Sequence, residues 1–276
     1  MPEETEGRLR FLRKSSDPRQ NRLRRGVYLL PSLLTMGNMF CGYACVVYAM
    51  RGEYETAAPF IGFAVVLDML DGRIARLTNT TSEFGVEFDS MADIISFGLA
   101  PAILSFAWGL QALGRLGWAA GFMFVAAAAM RLARFNIQSS SGGDKRYFVG
   151  MPSPAAAAIP AATVFAFPSG LYDYRAALPA LAMVLVPAAL MVSTIRFRSF
   201  KTFDSKARRP YTVLIFLAAG IVAIATHPQW SLVAIAYSYL ASGFIGLAIT
   251  RYKHRGGIPV PGATEPDTEH RDSAAR

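Results

Sequence analysis

The chain has 276 residues, of which 53% are hydrophobic and only 17% charged, and its mean hydropathy is +0.31. Soluble globular domains carry about 25% charged residues, so this composition argues against a water-soluble enzyme and a disordered scaffold. Cys41 and Cys45 lie in one apolar run, which implies no disulfide framework. The formal net charge of +9 indicates either a nucleic-acid partner or basic loops that orient membrane helices.

Apolar stretches long enough to cross a membrane recur along the chain. A spanning helix needs about 20 mostly apolar residues, and this window predicts eight spans. They lie near residues 28–50, 57–77, 94–114, 117–135, 151–171, 176–195, 211–226 and 229–250. The sequence therefore predicts an all-α polytopic membrane protein. Its short connections favour antiparallel neighbouring helices.

Polar segments flank and interrupt the spans. Residues 1–27 are basic with interspersed apolar side chains, which is typical of an interfacial amphipathic segment; a solvated arm that only sets topology fits equally well. Residues 196–210 form a basic loop between the sixth and seventh spans. Residues 251–276 have the composition of a disordered tail.

Lysine and arginine alternate with the predicted spans. With the N-terminus in the cytoplasm, the outer ends of the helices keep only Arg51, Arg115 and Arg175 of the 28 basic residues. This asymmetry supports eight spans with both termini in the cytoplasm, and we expect the chain in the inner (cytoplasmic) membrane. A nucleic-acid-binding patch would not alternate with helix ends, so no nucleic-acid partner is expected.

Four aspartates lie in or at the edge of the predicted spans, where each ionisable residue is a candidate for function. Asp68 and Asp71 lie on the second helix, and Asp89 and Asp93 lie at the start of the third. The i,i+3 and i,i+4 spacings place each pair on one helix face. A hairpin between the two helices would bring the pairs together at similar depth, near the cytoplasmic surface.

Carboxylates buried together without partners cost several kcal/mol each, so they must be protonated, paired with arginine or bound to metal. Arg73 and Arg76 point to different faces and would not satisfy four acids. Hard divalent cations such as Mg²⁺ or Mn²⁺ prefer oxygen ligands and commonly bridge the phosphates of a substrate. The alternative is a salt-bridged helix pair that only stabilises the bundle. Gly72 and Ala75 favour a ligand site, because they leave room for a bulky group beside the acids.

The stretch from Asp68 to Asp93 fits the pattern D-x2-D-G-x2-A-R-x8-G-x3-D-x3-D at every fixed position. This pattern resembles the signature of the CDP-alcohol phosphatidyltransferases, a family of integral membrane enzymes. The resemblance covers residues 28–195, which would form the six-helix catalytic core, and residues 211–250 would add two helices. It also implies a homodimer, for which the spacing itself gives no evidence.

The resemblance implies a role for each matching residue. The positions that match the ligands of a two-metal site, for two Mg²⁺ or Mn²⁺ ions, are Asp68, Asp71 and Asp89. Asp93 matches the general base, which is also placed among the metal ligands. The positions that match residues holding the cytidine diphosphate of the donor lipid are Gly72, Arg76 and Ser82.

The first predicted helix carries Thr35 and Asn38 three residues apart, and Asn38 is its only side-chain amide. An amide in a membrane helix either bonds across helices or reaches a ligand. The family resemblance favours the nucleotide, so Thr35 and Asn38 are expected to bind CDP-diacylglycerol.

Three further segments resemble the branch of the family that uses serine as the acceptor. They are Arg131–Asn136, Gly150–Pro154 and Ser199–Lys201. Because an arginine fork suits a carboxylate, Arg131 or Arg134 can hold the serine carboxylate, with Asn136 assisting. The alternative is that these arginines only anchor a helix end at the membrane surface.

Ser153 lies between two prolines at the start of the fifth span. Serine at this position is expected to cap the helix rather than to bind a substrate.

These features predict an enzyme that transfers the phosphatidyl group of CDP-diacylglycerol to L-serine, giving phosphatidylserine and CMP, at a site open to the cytoplasm. The acceptor hydroxyl would attack directly, with Asp93 as the base. One alternative is the same chemistry with inositol phosphate, glycerol phosphate or choline. The other is a cation- or proton-coupled transporter, which would favour acids at the membrane midplane and an internal repeat that this sequence lacks.

Overall fold

The computed structural model describes residues 18–78, 82–140, 148–193, 196–197, 218, 220 and 222–255. In chain order the helices are α1 (Pro18–Met50), α2 (Tyr54–Leu77), α3 (Glu83–Asp93), α4 (Ala100–Trp108), α5 (Arg115–Ser140), α6 (Ser153–Ala166), α7 (Tyr174–Val192) and α8 (Pro228–Arg255). A π-helical turn, Ile94–Leu99, joins α3 to α4, and a 3-10 turn, Leu110–Leu113, precedes α5. The predicted helical class is confirmed for this part of the chain, apart from one pair of two-residue strands.

Four helical stretches are long and apolar enough to cross a membrane. They are Leu30–Met50, Glu83–Trp108, Arg115–Gln138 and Tyr174–Val192. α6 is apolar but shorter. These helices agree with a polytopic membrane protein, whereas the number of eight spans and the side of the termini stay predictions. The seventh predicted span, 211–226, and the segment Ser199–Lys201 lie mostly or wholly outside the described residues.

The third predicted span, 94–114, was placed too late in the chain. α3 begins at Glu83, because the Ser82 hydroxyl caps it by accepting a hydrogen bond from the Gly85 amide at 3.0 Å. The helical stretch then runs through the π-turn to Trp108. Asp89 and Asp93 therefore lie inside a continuous helical stretch. The predicted span begins after them because polar residues lower the local hydropathy.

A short strand pair ties the two ends of the α6–α7 hairpin together. β1 (Phe148–Val149) pairs with β2 (Arg196–Phe197) in antiparallel register. Gly150 follows β1 with a φ of +89°, and a Cβ there would lie 2.5 Å from the Met191 carbonyl oxygen. The turn into α6 thus requires glycine, both for its backbone conformation and for its close approach to α7.

Small side chains fill the interior, and large apolar ones face outward. α1 packs along α2 and against α3 and α4, α5 packs against α7, and α6 contacts both α2 and α8. Alanines line many of these contacts; those at 2% exposure or less include Ala57, Ala58, Ala64, Ala156 and Ala157. Phe63, Trp118 and Phe122 are at least 60% exposed. Close helix packing through small residues with an apolar exterior is the arrangement that a lipid bilayer favours.

The tightest glycine contact between α1 and the π-turn predicts a stability effect. A Cβ on Gly42 would lie 2.7 Å from the Ser96 hydroxyl and 2.8 Å from its Cα, so Gly42→Ala should lower the free energy of unfolding by about 1–3 kcal/mol. Gly62→Ala on α2 is the matched control, because a Cβ there meets nothing within 4 Å. Thermal unfolding in detergent measures both variants, and equal melting temperatures would contradict the contact.

Candidate active site

The α2–α3 hairpin brings three aspartates into one cluster. α2 carries Asp68 and Asp71, and α3 carries Asp89, on the two sides of the turn that ends at the Ser82 cap. One carboxylate oxygen from each of the three lies within 4.8 Å of the others. The juxtaposition predicted from the helical spacing is therefore confirmed for these acids.

The surroundings of this cluster fit a divalent cation better than a network of ion pairs. Asp71 is only 4% exposed, and its Oδ2 accepts a hydrogen bond from the Thr35 hydroxyl of α1 at 3.0 Å. The Oδ1 of Asp89 is buried without a hydrogen-bond partner among the described residues. An all-carboxylate oxygen set with an unpartnered buried oxygen suits Mg²⁺ or Mn²⁺, since such an oxygen is costly unless a cation binds it.

Asp93 lies beside the cluster and has a different partner. Its Oδ1 accepts a hydrogen bond from the Asn38 amide of α1 at 3.3 Å. The charges of Asp68, Asp71 and Asp89 all act on Asp93, so it belongs to the same electrostatic site. One helix, α1, thus contacts an acid on α2 through Thr35 and an acid on α3 through Asn38.

The three residues predicted to hold the donor nucleotide lie on α2 and at the N-terminus of α3. A Cβ on Gly72 would meet nothing within 4 Å, so space beside the acids is open as predicted. Arg76 is exposed, and its Nε donates to the Gly72 carbonyl at 2.8 Å. Ser82 is exposed and caps α3. Arg76 and Ser82 each have a local structural contact, and their predicted role in binding the nucleotide stays a prediction.

The two candidate acceptor arginines differ in their surroundings. Arg131 is partly buried, donates to the Ser153 hydroxyl at 2.8 Å, and lies in the electrostatic field of Asp68 and Asp93. Arg134 donates to the carbonyl of Val192 at 3.2 Å, at the C-terminal end of α7. Arg131 therefore interacts electrostatically with the acids, whereas Arg134 donates to a carbonyl at the end of α7.

Asn136 connects the helix of the arginines to the helix of the acids. Its amide nitrogen donates to the Ser90 hydroxyl of α3 at 2.9 Å. Because Ser90 directly follows Asp89, this bond fixes the relative position of α5 and the acid cluster.

The expected cap at Ser153 is wrong. The N-cap of α6 is Pro152, and no side chain caps this helix. The Ser153 hydroxyl accepts from Arg131 instead, because the residue lies one position inside the helix and is 2% exposed. Ser153 therefore holds the guanidinium of Arg131.

Two contacts around the site were not predicted from the sequence. The i,i+3 spacing of Thr35 and Asn38 placed them on one face but did not identify aspartates as their partners. Tyr239 of α8 is partly buried and interacts electrostatically with Arg131. No local pattern marks Tyr239, since the contact depends on how α8 packs against α6.

Comparison with known proteins agrees with this geometry. A family model described as CDP-alcohol phosphatidyltransferase matches residues 28–195. A Helicobacter pylori protein named CDP-diacylglycerol--serine O-phosphatidyltransferase is 38% identical over 224 residues, 79% of this chain and 91% of the relative. Proteins of that name from Mycobacterium leprae (39% identity; 49% of this chain, 47% of the relative) and Bacillus subtilis (34%; 46% and 70%) are also similar.

The acid cluster predicts binding of a divalent cation that depends on Asp71. Asp71→Asn should weaken Mn²⁺ binding by about tenfold or more, since even outer partners of metal ligands contribute that much. Glu87→Gln is the matched control, because Glu87 is an exposed acid of α3 that lies outside the cluster. Electron paramagnetic resonance of Mn²⁺ titrated into detergent-solubilised protein measures both. Unchanged binding by the Asp71 variant would contradict a metal site here.

Proposed function

Because the chain belongs to the CDP-alcohol phosphatidyltransferase family, we propose that it transfers the phosphatidyl group of CDP-diacylglycerol to L-serine, giving phosphatidylserine and CMP. The observation that carries this proposal is the acid cluster formed by the complete family signature on α2 and α3. Serine as the acceptor is supported by the names of the relatives, including one that aligns with 79% of this chain.

The reaction needs a base beside the acid cluster. The serine hydroxyl oxygen forms a bond to the phosphatidyl phosphorus, the bond from that phosphorus to the bridging oxygen of CMP breaks, and Asp93 accepts the hydroxyl proton. Asp68, Asp71 and Asp89 would hold the divalent cations, with Asp93 as an additional ligand. Bound Mg²⁺ or Mn²⁺, as two ions, would offset the charge that develops on the diphosphate and on the leaving CMP.

The donor would lie beside Gly72 of the α2–α3 hairpin. Gly72 leaves space for the diphosphate, Arg76 contacts the Gly72 carbonyl, and Arg76 and Ser82 are both exposed. A guanidinium suits phosphate oxygens because its donors form a planar fork. Thr35 and Asn38 contact the acids, and any direct contact with the nucleotide stays a prediction.

Arg131 is the stronger candidate for the serine carboxylate. It is the arginine that lies in the field of the acids, whereas Arg134 donates to a helix end. Asn136 would assist indirectly, because its amide nitrogen donates to Ser90 beside Asp89.

The arrangement in the membrane follows from the charge distribution. Eight spans, cytoplasmic termini and a site that opens to the cytoplasm are supported by the near absence of basic residues from the predicted outer ends. This orientation would place the chain in the inner membrane, with water-soluble serine and CMP on its cytoplasmic side. The homodimer stays a prediction of the family resemblance.

An acceptor comparison tests the proposed function. Purified protein receives CDP-diacylglycerol with Mg²⁺ or Mn²⁺, and serine, inositol phosphate, glycerol phosphate and choline are offered in parallel. We expect CMP release and lipid product with serine. Turnover only with another acceptor would overturn the choice of serine, and no turnover with any of them would overturn the proposed activity.

Asp93→Asn tests the base in the same assay. A general base typically raises the reaction rate by about 10²–10⁴-fold, so turnover should fall by at least about 10²-fold. CDP-diacylglycerol binding should stay measurable. An active variant would contradict the assignment of Asp93.

The two arginines provide a matched pair for the acceptor site. Arg131→Lys keeps the charge but loses the planar fork, so the KM for serine should rise by about tenfold, the loss of one charged hydrogen bond. Arg134→Lys should change it less, since lysine can still donate to the Val192 carbonyl. Initial rates at varied serine concentration measure both, and the opposite order would place the carboxylate at Arg134.

A further inference from the structure

Asn38 is a fully buried amide in the middle of an apolar helix. It is 0% exposed, and its Nδ2 donates to the Oδ1 of Asp93 at 3.3 Å. A primary amide in such a place is unfavourable unless it is hydrogen-bonded, so this contact explains why α1 tolerates it. The partner of Asn38 is the acid that the proposed reaction uses as its base.

Only one half of this amide is paired. The Oδ1 of Asn38 is buried without a hydrogen-bond partner among the described residues. An asparagine that merely joins two helices normally has both ends satisfied, because nearly all buried polar atoms are. Since an ionised carboxylate only accepts hydrogen bonds, Asp93 itself determines which end of the amide faces it.

The backbone of Asn38 is held from the same helical stretch. The Ser96 hydroxyl, at 0% exposure, donates to the Asn38 carbonyl oxygen at 2.9 Å. Ser96 lies in the π-turn that begins directly after Asp93, and it packs against Gly42. Asn38 therefore donates one hydrogen bond to Asp93 and accepts another from Ser96, so two bonds join it to this segment.

We infer that Asn38 is a positioning residue for Asp93: it holds one carboxylate oxygen and directs the other to accept the proton of the acceptor hydroxyl. The inference rests on the proposed function and deepens it. It also differs from the expectation that Asn38 binds the nucleotide, because a positioning residue acts on the base and not on the donor lipid.

Asn38→Leu tests this role. Leucine preserves the approximate volume and suits the membrane interior but cannot donate to Asp93. We expect kcat to fall by about tenfold to hundredfold, since a misplacement of about 1 Å costs that much. Equilibrium binding of CDP-diacylglycerol should stay within about twofold, because in this role Asn38 contacts the base and not the donor lipid. Steady-state rates and a lipid-binding assay without serine give the two readouts.

Two further variants separate positioning from folding. Asn38→Asp keeps the size and shape of the side chain but offers no donor to Asp93 when ionised, so it should lose kcat like the leucine variant. Ser96→Ala keeps the Asn38 amide and removes only the hydrogen bond to the Asn38 backbone, so kcat should fall less than in the Asn38 variants. Loss of CDP-diacylglycerol binding in proportion to turnover, in either Asn38 variant, would overturn the inference in favour of a nucleotide contact. Retained kcat in both would overturn it as well.

The wild-type protein distinguishes this inference from the proposed function. If wild type releases no CMP with CDP-diacylglycerol and serine, the proposed function fails. If wild type is active and the Asn38 variants match it, only the positioning role fails.

Discussion

Charge in an apolar bundle is the constraint on which the site depends. Four aspartates on two helices repel one another, and their partial burial among apolar helices removes much of the water that would stabilise their charges. They are tolerable only where neighbouring groups or a cation satisfy their oxygens. Thr35 satisfies an oxygen of Asp71 and Asn38 one of Asp93, whereas an oxygen of Asp89 is buried with no partner in the part of the chain that the structure describes. Groups of the protein thus satisfy part of the cluster, and the cluster fits the binding of a cation.

Close helix packing makes this arrangement possible. Thr35 and Asn38 have short side chains, so α1 must approach both α2 and the α3 stretch closely for them to reach the acids. Gly42 permits the approach at the π-turn, where a Cβ would collide with Ser96, and alanines such as Ala64 permit it on α2. A π-turn holds one extra residue and so changes the direction in which the following side chains point. Such turns are common at functional sites. Small residues and the irregular turn therefore bring α1 close enough for Thr35 and Asn38 to reach the acids.

Local spacing predicted the cluster, and long-range contacts could not be predicted from it. The i,i+3 and i,i+4 patterns placed the aspartates on single helix faces, and a hairpin sufficed to bring Asp68, Asp71 and Asp89 together. The partners of Thr35, Asn38 and Ser153 depend on how helices distant in sequence are rotated, which periodicity does not specify. The search for apolar stretches also missed the start of α3, because the polar residues of the candidate site lower the mean hydropathy of that segment.

The proposed acceptor site lies at a junction between the family core and the added helix. Arg131 of α5 bonds to Ser153 of α6 and lies in the field of Asp93, while Tyr239 approaches it from α8, beyond the matched residues 28–195. A guanidinium between acids and a substrate carboxylate must be held away from the acids, or it would pair with them instead. Ser153 supplies a neutral partner for Arg131 on the side of α6. In the proposed function, the signature on α2 and α3 would supply the donor chemistry shared by the family, and the surroundings of Arg131 would distinguish one alcohol from another.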